Sequence, residues 1–460
     1  MHIATLEEQR KQILNKQPEI QLTGACKVGE GIIELDDTES KRLAKILTAS
    51  QTKKTMFVPA SGSGSRMFEF LFEFIANPTE DNRGQVERFL NHIEDFAFFY
   101  QFPANIQQEL RDRTMDIESF VACILNNKGF GLAHLPKGLV PFHKHGPFLL
   151  NPFHEHVLQG LQIAKDMQFH FTIRPSFAEV IRQQLSYLEG MISQTVGVSF
   201  SEQNPETDAY AFNDAGEEVK LEDGSLLRRP SGHGALLQNL EGVSADLLFI
   251  KNIDNVQHYS RSEVSISNFQ VLGGMLLELQ RKIAAISIAP SLEAILELNQ
   301  QYQLFHPEEL QRPLDELVRL LDRPLRVCGM VRNEGQPGGG PFWVRENSGI
   351  SKQIVEKAQI DMRGEQYRVM IQSTHFNPVM MVCEGRKADG RAIDFDRFKD
   401  STKYFVVNKN HQGTPIRFIE LPGLWNGSMA NWNTVFVEVP NSTFSPVKTV
   451  LDLLDPAHLD

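Results

Sequence analysis

Cysteine and long apolar runs are scarce in this sequence. Its 460 residues include four cysteines, which are far apart and form no CxxC pair: Cys26, Cys123, Cys328 and Cys383. This spacing argues against a zinc motif or a disulfide framework, and we expect buried, reduced thiols in a cytoplasmic protein. No apolar run approaches the ~18–20 residues of a membrane span. The first 17 residues are charged and helix-patterned, unlike a secretory signal.

An excess of positive charge is also lacking. Lys and Arg number 46 against 58 Asp and Glu, which gives a formal net charge of −12. Such a surface repels nucleic-acid backbones at long range, and no basic patch is long enough to offset it. The sequence therefore predicts that anionic ligands are bound by a few placed cations. Hydrophobic residues (41%) and charged residues (23%) are close to the globular norm.

The apolar pattern alternates between strand and helix periodicity after residue 131. Such alternation predicts an α/β fold with a mainly parallel, twisted sheet and helices on both faces, which binds ligands beyond the carboxyl ends of its strands. The predicted strands are 55–58, 168–173, 195–200 and 247–250, and the predicted helices between them are near 152–166 and 176–190.

The same pattern suggests a domain organisation. We expect an N-terminal helical segment at 1–50, with one short extended piece, and a single core at 51–450. Within that core, 68–134 has helical spacing and is predicted to be an inserted helical subdomain, whereas 325–450 is β-rich. Residues 451–460 are predicted to be a tail. The pattern leaves the oligomeric state open.

A loop of small residues follows the first predicted strand. Its glycines allow backbone N–H groups to approach an anion closely, and Arg66 adds a full positive charge. The loop lacks the GK[ST] ending of a P-loop and the spacing of GxGxxG, so neither class fits well. Ordinary turn chemistry explains the loop about equally well. The predicted nucleotide-binding loop residues are Ala60, Ser61, Gly62, Ser63, Gly64 and Ser65.

Three further short segments carry residue types suited to phosphate chemistry. Lys137 lies between two prolines that fix the direction of the backbone. Asp254 follows an apolar strand, where a carboxylate can bind Mg²⁺, although an Asx turn is the simpler interpretation. Gly232, His233 and Gly234 precede an apolar helix, and these glycines permit close approach of a flat ligand. His233 by itself is more commonly structural than a base.

The order of these segments is more specific than any one of them. The chain resembles the UDP-N-acetylhexosamine pyrophosphorylase branch of the sugar-1-phosphate nucleotidyltransferases, and as a whole it resembles a bacterial family of unknown function grouped with them. The family patterns LAGGxGTRL, PKG, PDGNGGLYxAL, VDN and EFSPLKN are similar to segments 60–67, 136–138, 230–240, 253–255 and 443–449.

The resemblance implies a role for each matched residue. It places Gly62 and the Gly232 loop against the uracil and ribose, and Arg66 and Lys137 on the triphosphate. It further implies that Asp254 binds Mg²⁺ and that Lys448 contacts the phosphates at the reacting centre. The implied fold is the nucleotidyltransferase (GT-A) type, and the implied substrates are UTP and a sugar-1-phosphate.

Several positions depart from the family pattern. Ser61 replaces the first glycine of the loop, and the insertion at 68–134 separates segments that relatives join by a short loop. The sugar-contacting VVEY motif has no clean match, and Glu334 and Asn377 are our candidates for sugar binding. A segment rich in Trp and Asn, 420–434, could stack on a sugar or form a rigid packed loop.

Three functions are compatible with these features. The first is a Mg²⁺-dependent uridylyltransferase that makes a UDP-sugar and pyrophosphate. The second is a nucleotide-sugar-binding regulator without catalysis, which would have less need of Arg66, Lys137, Asp254 and Lys448 together. The third is a UDP-sugar-dependent glycosyltransferase, although such enzymes usually carry a DxD motif where this chain has Asn252-Ile253-Asp254.

Overall fold

The computed structural model of the protein describes residues 3–15, 19–126, 129–335 and 338–460. The chain forms two compact units. The first unit consists of Met1–Thr55, Glu202–Ile250 and Asn268–Asn441. The second consists of Met56–Ser201, Lys251–Ser267 and Ser442–Asp460. Each unit is therefore assembled from three separate stretches of sequence.

The described residues form thirteen α-helices. Their starts follow ordinary capping rules. At α7, for example, the Asn151 side chain accepts the His154 N–H at 3.1 Å and Pro152 occupies the first helical position. The helices are α1 Leu6–Leu14, α2 Asp37–Thr48, α3 Glu69–Ala76, α4 Glu80–Asn91, α5 Ala104–Arg111, α6 Ile117–Leu125, α7 Pro152–Ile163, α8 Ala178–Ile192, α9 Leu237–Glu241, α10 Glu263–Ile288, α11 Leu292–Tyr302, α12 Leu314–Leu321 and α13 Gly364–Met370.

The strands are mostly short. They are β1 Gln21–Ala25, β2 Lys27–Val28, β3 Gly31–Ile33, β4 Lys54–Pro59, β5 His143–His145, β6 Phe148–Leu150, β7 Gln168–Thr172, β8 Val198–Ser201, β9 Ala209–Tyr210, β10 Arg228–Arg229, β11 Leu247–Ile250, β12 Leu325–Arg332, β13 Gly340–Glu346, β14 Gly349–Val355, β15 His375–Phe376, β16 Met381–Glu384, β17 Phe405–His411, β18 Thr414–Glu420 and β19 Asn433–Glu438.

In the first unit, the central sheet is mostly parallel. The strands β2, β3, β19 and β12 lie side by side in that order and run parallel. The next strand, β16, is antiparallel to β12, and β11 is antiparallel to β16. All four residues of β11 are buried, as expected for a strand covered on both faces. A separate antiparallel sheet contains β1, β13 and β14. The predicted α/β class with a mainly parallel sheet is confirmed.

The second unit contains the neighbouring strands β4, β7 and β8, with β7 and β8 parallel; β4 enters this unit at Met56. Residues 68–134 carry helices α3 to α6 and, among the described residues, no strand. Their core is rich in phenylalanine and also includes Val447, Val450, Leu451 and Leu453 from the C-terminal segment. Burial of each such side chain stabilises the packing by about 1.5–3 kcal/mol. The helical segment therefore holds the end of the chain in place.

Two parts of the chain differ from the simple prediction. Residues 1–50 contain β1 to β3 besides α1 and α2, whereas only one extended piece was predicted, because β1 and β2 are too short to show a clear alternation in the sequence. The predicted extended piece is β3, and residues 1–2 and 16–17 of the predicted first helix lie outside the described residues. Residues 451–460 are not a loose tail, since Leu451, Leu453 and His458 are buried. All four cysteines are free, and three of them are buried.

The buried titratable residues of helix α7 predict how the stability of the protein depends on pH. The helix buries His154, Glu155 and His156 completely or nearly so. Burial lowers the pKa of His154 to about 4 and that of His156 to about 3, so both stay neutral in the folded protein. In the unfolded chain both histidines bind a proton below about pH 6.5. Because the folded protein does not bind these protons, its free energy of unfolding decreases as pH falls from 6.5 towards 4. Burial also raises the pKa of Glu155 to about 7, which acts in the opposite direction between about pH 4.5 and 7.

A substitution separates these effects. His156→Gln cannot titrate, so the variant should lose less stability than the wild type between pH 7 and pH 5. The expected difference averages about 1 kcal/mol per pH unit over this range and approaches about 1.4 kcal/mol per pH unit, the linkage value for one proton, below pH 6. Urea unfolding at several pH values measures it. Parallel pH profiles for the two proteins would contradict a neutral, buried His156.

Candidate functional site

The small-residue loop after β4 is joined by backbone hydrogen bonds to the segment that carries Lys137. The Gly64 N–H donates to the Leu135 carbonyl at 2.9 Å, and the Lys137 N–H donates to the Gly62 carbonyl at 3.0 Å. At the other end, the Ala60 N–H donates to Thr172, the last residue of β7. The two ends of the helical excursion at 68–134 therefore meet, and the excursion does not separate the loop from Lys137.

The two glycines of this loop have different surroundings. A Cβ on Gly64 would lie 2.8 Å from the Leu135 carbonyl oxygen, whereas a Cβ on Gly62 would have no atom of the residues that the structure describes within 4 Å. Gly64 is buried and Gly62 is exposed. The absence of a side chain is thus explained by packing at Gly64, but no contact with a described residue explains it at Gly62.

This contrast provides a matched pair of substitutions. Gly64→Ala should destabilise the protein by about 1–3 kcal/mol through overpacking, and Gly62→Ala should change the unfolding free energy by less than about 0.5 kcal/mol. If a nucleotide lies against the loop, Gly62→Ala should nevertheless weaken UTP binding. Thermal unfolding and calorimetric titration with UTP measure the two effects. Unchanged UTP affinity in a well-folded Gly62→Ala protein would remove this glycine from the binding site.

A compact charge cluster surrounds Asp254 in the second unit. Its Oδ2 atom lies 3.1 Å from the Lys137 Nζ and 3.1 Å from the Lys448 Nζ. The Lys137 ammonium also donates to the Val447 carbonyl at 2.8 Å, and the Val447 N–H donates to the Asp254 carbonyl at 2.9 Å. Folding has therefore brought together residues that are 117 and 194 positions from Asp254 along the chain.

Further contacts fix the C-terminal segment beside Asp254. The Asn255 side chain accepts the Ser445 N–H at 2.9 Å, and Asn255 forms an antiparallel bridge with Pro446. Because Val447 is completely buried in the core of the helical segment, the backbone on either side of Lys448 is held. The Lys448 side chain itself is 61% exposed. The backbone therefore fixes the origin of the side chain, while its ammonium group is accessible to a ligand.

Burial and charge shift the pKa values within this cluster. Burial lowers the pKa of Lys137, the Asp254 carboxylate opposes this shift, and the positive charges of Lys448 and Arg66 add to it. Burial would raise the pKa of Asp254, but the Lys137 and Lys448 ammonium groups hold it below its ordinary value. The carboxylate is therefore ionised at neutral pH. Arg66 is exposed and makes no ion pair with a described residue, so the four side chains together favour an anion.

A second arginine at the loop was missed by sequence reasoning. Arg174 donates through Nε to the Ser61 carbonyl at 2.9 Å, and it lies two residues beyond the end of β7. Its position at the carboxyl end of a strand is the signal that could have identified it. The exposed guanidinium adds positive charge at the loop.

The predicted Gly232 loop belongs to the first unit, where it packs against the residues after β18. A Cβ on Gly234 would lie 2.2 Å from the Pro422 carbonyl oxygen, and one on Gly232 would lie 2.9 Å from the Glu420 carboxylate. Gly232 also has a φ of +75°, which favours glycine. Other residues of the protein therefore occupy the space next to both glycines. Contact of this loop with a nucleotide stays a prediction.

His233 has a defined environment in the same loop. Its ring stacks on Trp425 with a centroid distance of 4.1 Å, and its Nδ1 atom accepts the Leu424 N–H at 2.9 Å. The Nε2 atom lies 3.8 Å from the Glu356 carboxylate. Trp432 is buried and packs on Phe395. The Trp- and Asn-rich segment is thus tightly packed against the glycine loop.

The two sugar-binding candidates also lie in the first unit. Asn377 is buried, its amide donates to the Gly329 carbonyl at 3.0 Å, and its side-chain oxygen accepts the Val379 N–H at 3.0 Å. These contacts give it a role in holding its loop. Glu334 is exposed. Sugar contact by either residue stays a prediction.

No helix among the described residues is long and apolar enough to cross a membrane.

The comparisons with known proteins concern the fold and the family. Uridine diphosphate N-acetylglucosamine pyrophosphorylase from Trypanosoma brucei, solved with an inhibitor, aligns with a TM-score of 0.51 and 13% identity, covering 94% of this chain and 72% of the other. UDP-glucose pyrophosphorylase from Leishmania major, solved as a variant with UDP-glucose, aligns at 0.41 and 11%, covering 95% and 70%. The first alignment confirms the predicted nucleotidyltransferase-like fold.

Comparison of the sequence alone identifies a family but no characterised relative. None of the curated proteins matches the sequence. One family profile, described as "Domain of unknown function (DUF4301)", matches residues 1–459. The chain therefore belongs to the DUF4301 family over almost its whole length.

Proposed function

We propose that the protein is a sugar-1-phosphate nucleotidyltransferase that transfers a uridylyl group from UTP to a sugar-1-phosphate. The observation that carries this proposal is the convergence of Lys137 and Lys448 on one Asp254 oxygen, at 3.1 Å each. An Asx turn at the protein surface would not require two lysines at its carboxylate. The Lys137 side chain is also held by the Val447 carbonyl, which fixes the position of its ammonium group for binding a ligand. The nucleotidyltransferase-like fold and the order of the sequence motifs support the same function.

The reaction requires charge neutralisation and alignment more than covalent catalysis. An oxygen of the sugar-1-phosphate attacks the α-phosphorus of UTP, the bond from that phosphorus to the α–β bridging oxygen breaks, and pyrophosphate leaves with the electron pair. Negative charge develops on the phosphate oxygens, and preorganised cations stabilise it. In this proposal Arg66 and Lys137 bind the triphosphate, and Lys448 contacts the α-phosphate.

The residues present are compatible with Mg²⁺. Both lysine contacts of Asp254 are made to Oδ2, and no described side chain bonds to Oδ1. Mg²⁺ commonly takes one or two carboxylates and completes its shell with phosphate oxygens and water. We propose that Asp254 holds the ion, which when bound neutralises charge on the phosphates. With the ion held there, Lys137 and Lys448 would be available to bind phosphate oxygens in place of Oδ2.

We also propose a cytoplasmic location, where both nucleotide and sugar phosphates are available. Four free cysteines fit a reducing compartment. Cell fractionation with an antibody against the protein measures this location directly.

The decisive experiment is a pyrophosphate-release assay. Purified protein with Mg²⁺ is incubated with each of the four nucleoside triphosphates and a panel of sugar-1-phosphates, with and without EDTA. We expect release with UTP and one subset of sugars, and loss of release when the metal is chelated. Lys165→Ala, an exposed lysine after α7, serves as the matched control for changes to the lysines of the cluster.

Other outcomes identify the alternatives. UTP or UDP-sugar binding without pyrophosphate release for any sugar would favour a regulator. Release of UDP from a supplied UDP-sugar, in the presence of an acceptor, would favour a glycosyltransferase. Either result would overturn the proposed transfer.

A further inference from the structure

A second group of potential metal ligands lies in the same unit as Asp254 but does not include it. His145, His258 and Asp460 each offer one ligand atom, and these atoms lie within 4.8 Å of one another. In the described part of the chain, this is the one group of three or more such residues. Three separate segments supply them, namely β5, the stretch after Asp254 and the end of the chain.

Hydrogen bonds hold the three segments against each other. The His258 N–H donates to the Ala457 carbonyl at 2.9 Å, which brings the last residues of the chain beside His258. His143, two residues before His145, lies 2.9 Å from the His458 ring through its Nε2 atom. The ring centroids of His145 and His258 are 5.9 Å apart. The cluster therefore belongs to an ordered part of the fold.

We propose that His145, His258 and Asp460 form a binding site for a divalent transition-metal ion of the zinc class. Imidazole ligands favour zinc and its neighbours over Mg²⁺, which prefers oxygen. Three protein ligands with at least one position left to water is a common coordination for such ions. The site thus differs in ligand chemistry from the one proposed at Asp254.

The contacts of His258 define how it binds. Its Nδ1 atom lies 2.7 Å from the Ser260 hydroxyl and 3.2 Å from the Ser260 N–H, and its Nε2 atom lies 3.2 Å from the Lys144 carbonyl. In the structure Nδ1 accepts the Ser260 N–H, so the hydrogen on Nε2 faces the Lys144 carbonyl. Coordination through Nε2 would replace the Lys144 contact and move this hydrogen to Nδ1, which would give up the Ser260 N–H and donate to the Ser260 hydroxyl instead. A hydrogen bond of this kind fixes the tautomer and orientation of a ligating histidine.

A metal at this position would close a loop between the C-terminal segment and the body of the unit. That segment also carries Lys448, so the ion would pin the end of the chain on which the lysine is presented. The metal site does not depend on the proposed transfer reaction, because its ligands are distinct from the Asp254 cluster.

The test is zinc binding by the whole protein in the absence of nucleotide and Mg²⁺. Equilibrium dialysis against ZnCl₂ should give one tightly bound ion per chain. His145→Gln and Asp460→Asn each remove one ligand without disturbing the buried His258, and each should weaken binding by about tenfold or more. His134→Gln, an exposed histidine of the same unit, and Asp254→Asn should both bind zinc like the wild type.

The outcomes separate this site from the proposed active site. Loss of binding in both ligand variants, with retention in both controls, supports the site whatever the result of the pyrophosphate assay. No saturable zinc binding in the wild type, or wild-type affinity in His145→Gln or Asp460→Asn, would overturn it. Loss of binding in Asp254→Asn alone would also overturn it, since the zinc would then be bound at the Asp254 cluster.

Discussion

Asp254→Asn is expected to reduce pyrophosphate release by about 10³-fold or more. The amide keeps the shape of the side chain but removes the charge that we propose binds Mg²⁺, and several kcal/mol of transition-state stabilisation are lost with it. An Asx turn would survive this change. The measurement is kcat for UTP and the best sugar-1-phosphate at saturating Mg²⁺.

The structure adds a second consequence to this substitution. Lys137 and Lys448 share one Asp254 oxygen, and in the variant their charges face each other without a carboxylate between them. We expect the protein to fold but to lose about 1–3 kcal/mol of stability, since a partly buried ammonium loses its partner. Asp112→Asn, an exposed aspartate directly after α5, is the control. Near-normal turnover of Asp254→Asn in Mg²⁺ would remove Asp254 from the catalytic site.

Lys448→Ala is expected to lower kcat by about 10²-fold or more, the scale of losing one preorganised charge donor. Its side chain is 61% exposed, and Asp254 retains its bond to Lys137. The melting temperature without ligand should therefore change only slightly. A large effect on rate with a small effect on stability is what distinguishes a residue that acts on substrate from one that holds the fold.

Two further variants sharpen this test. Lys448→Arg should not restore full activity, because a planar guanidinium fills the space differently from a compact ammonium. Lys165→Ala should behave as the wild type in both rate and stability. Equal rates for wild type and Lys448→Ala at saturating substrates would show that the C-terminal motif is a coincidental match.

The secondary structure of the core could be predicted from periodicity because its elements are long or completely buried. The strand predicted at 247–250 is Leu247–Ile250, and the helix predicted at 176–190 is Ala178–Ile192. A strand of two residues, such as β2, could not be predicted from the pattern, whereas β3 was predicted only as a short extended piece. β3 pairs with β19, whose sequence lies some 400 residues away, and β2 pairs with β3.

The candidate site shows the same division. Arg66, Lys137, Asp254 and Lys448 were found from residue type and motif order, since charge and glycine are visible in a sequence. Arg174 was not, because its position after a predicted strand was its one signal and no motif accompanied it. The reason for the glycines at 232 and 234 was also hidden, because only folding brings the Glu420 carboxylate against Gly232 and the Pro422 carbonyl against Gly234.

By itself, the sequence determined the fold class through its periodicity and indicated through its composition that a few placed cations would bind anions. Residue type marked Arg66, Lys137 and Asp254 as candidates, and the resemblance to a known family added Lys448. The tertiary structure decided that Lys137 and Lys448 meet at one oxygen of Asp254. It also decided that the phenylalanine-rich core of the helical segment buries the valines on either side of Lys448. Contacts between residues more than a hundred positions apart depend on how apolar surfaces pack in three dimensions, and no local pattern records that packing.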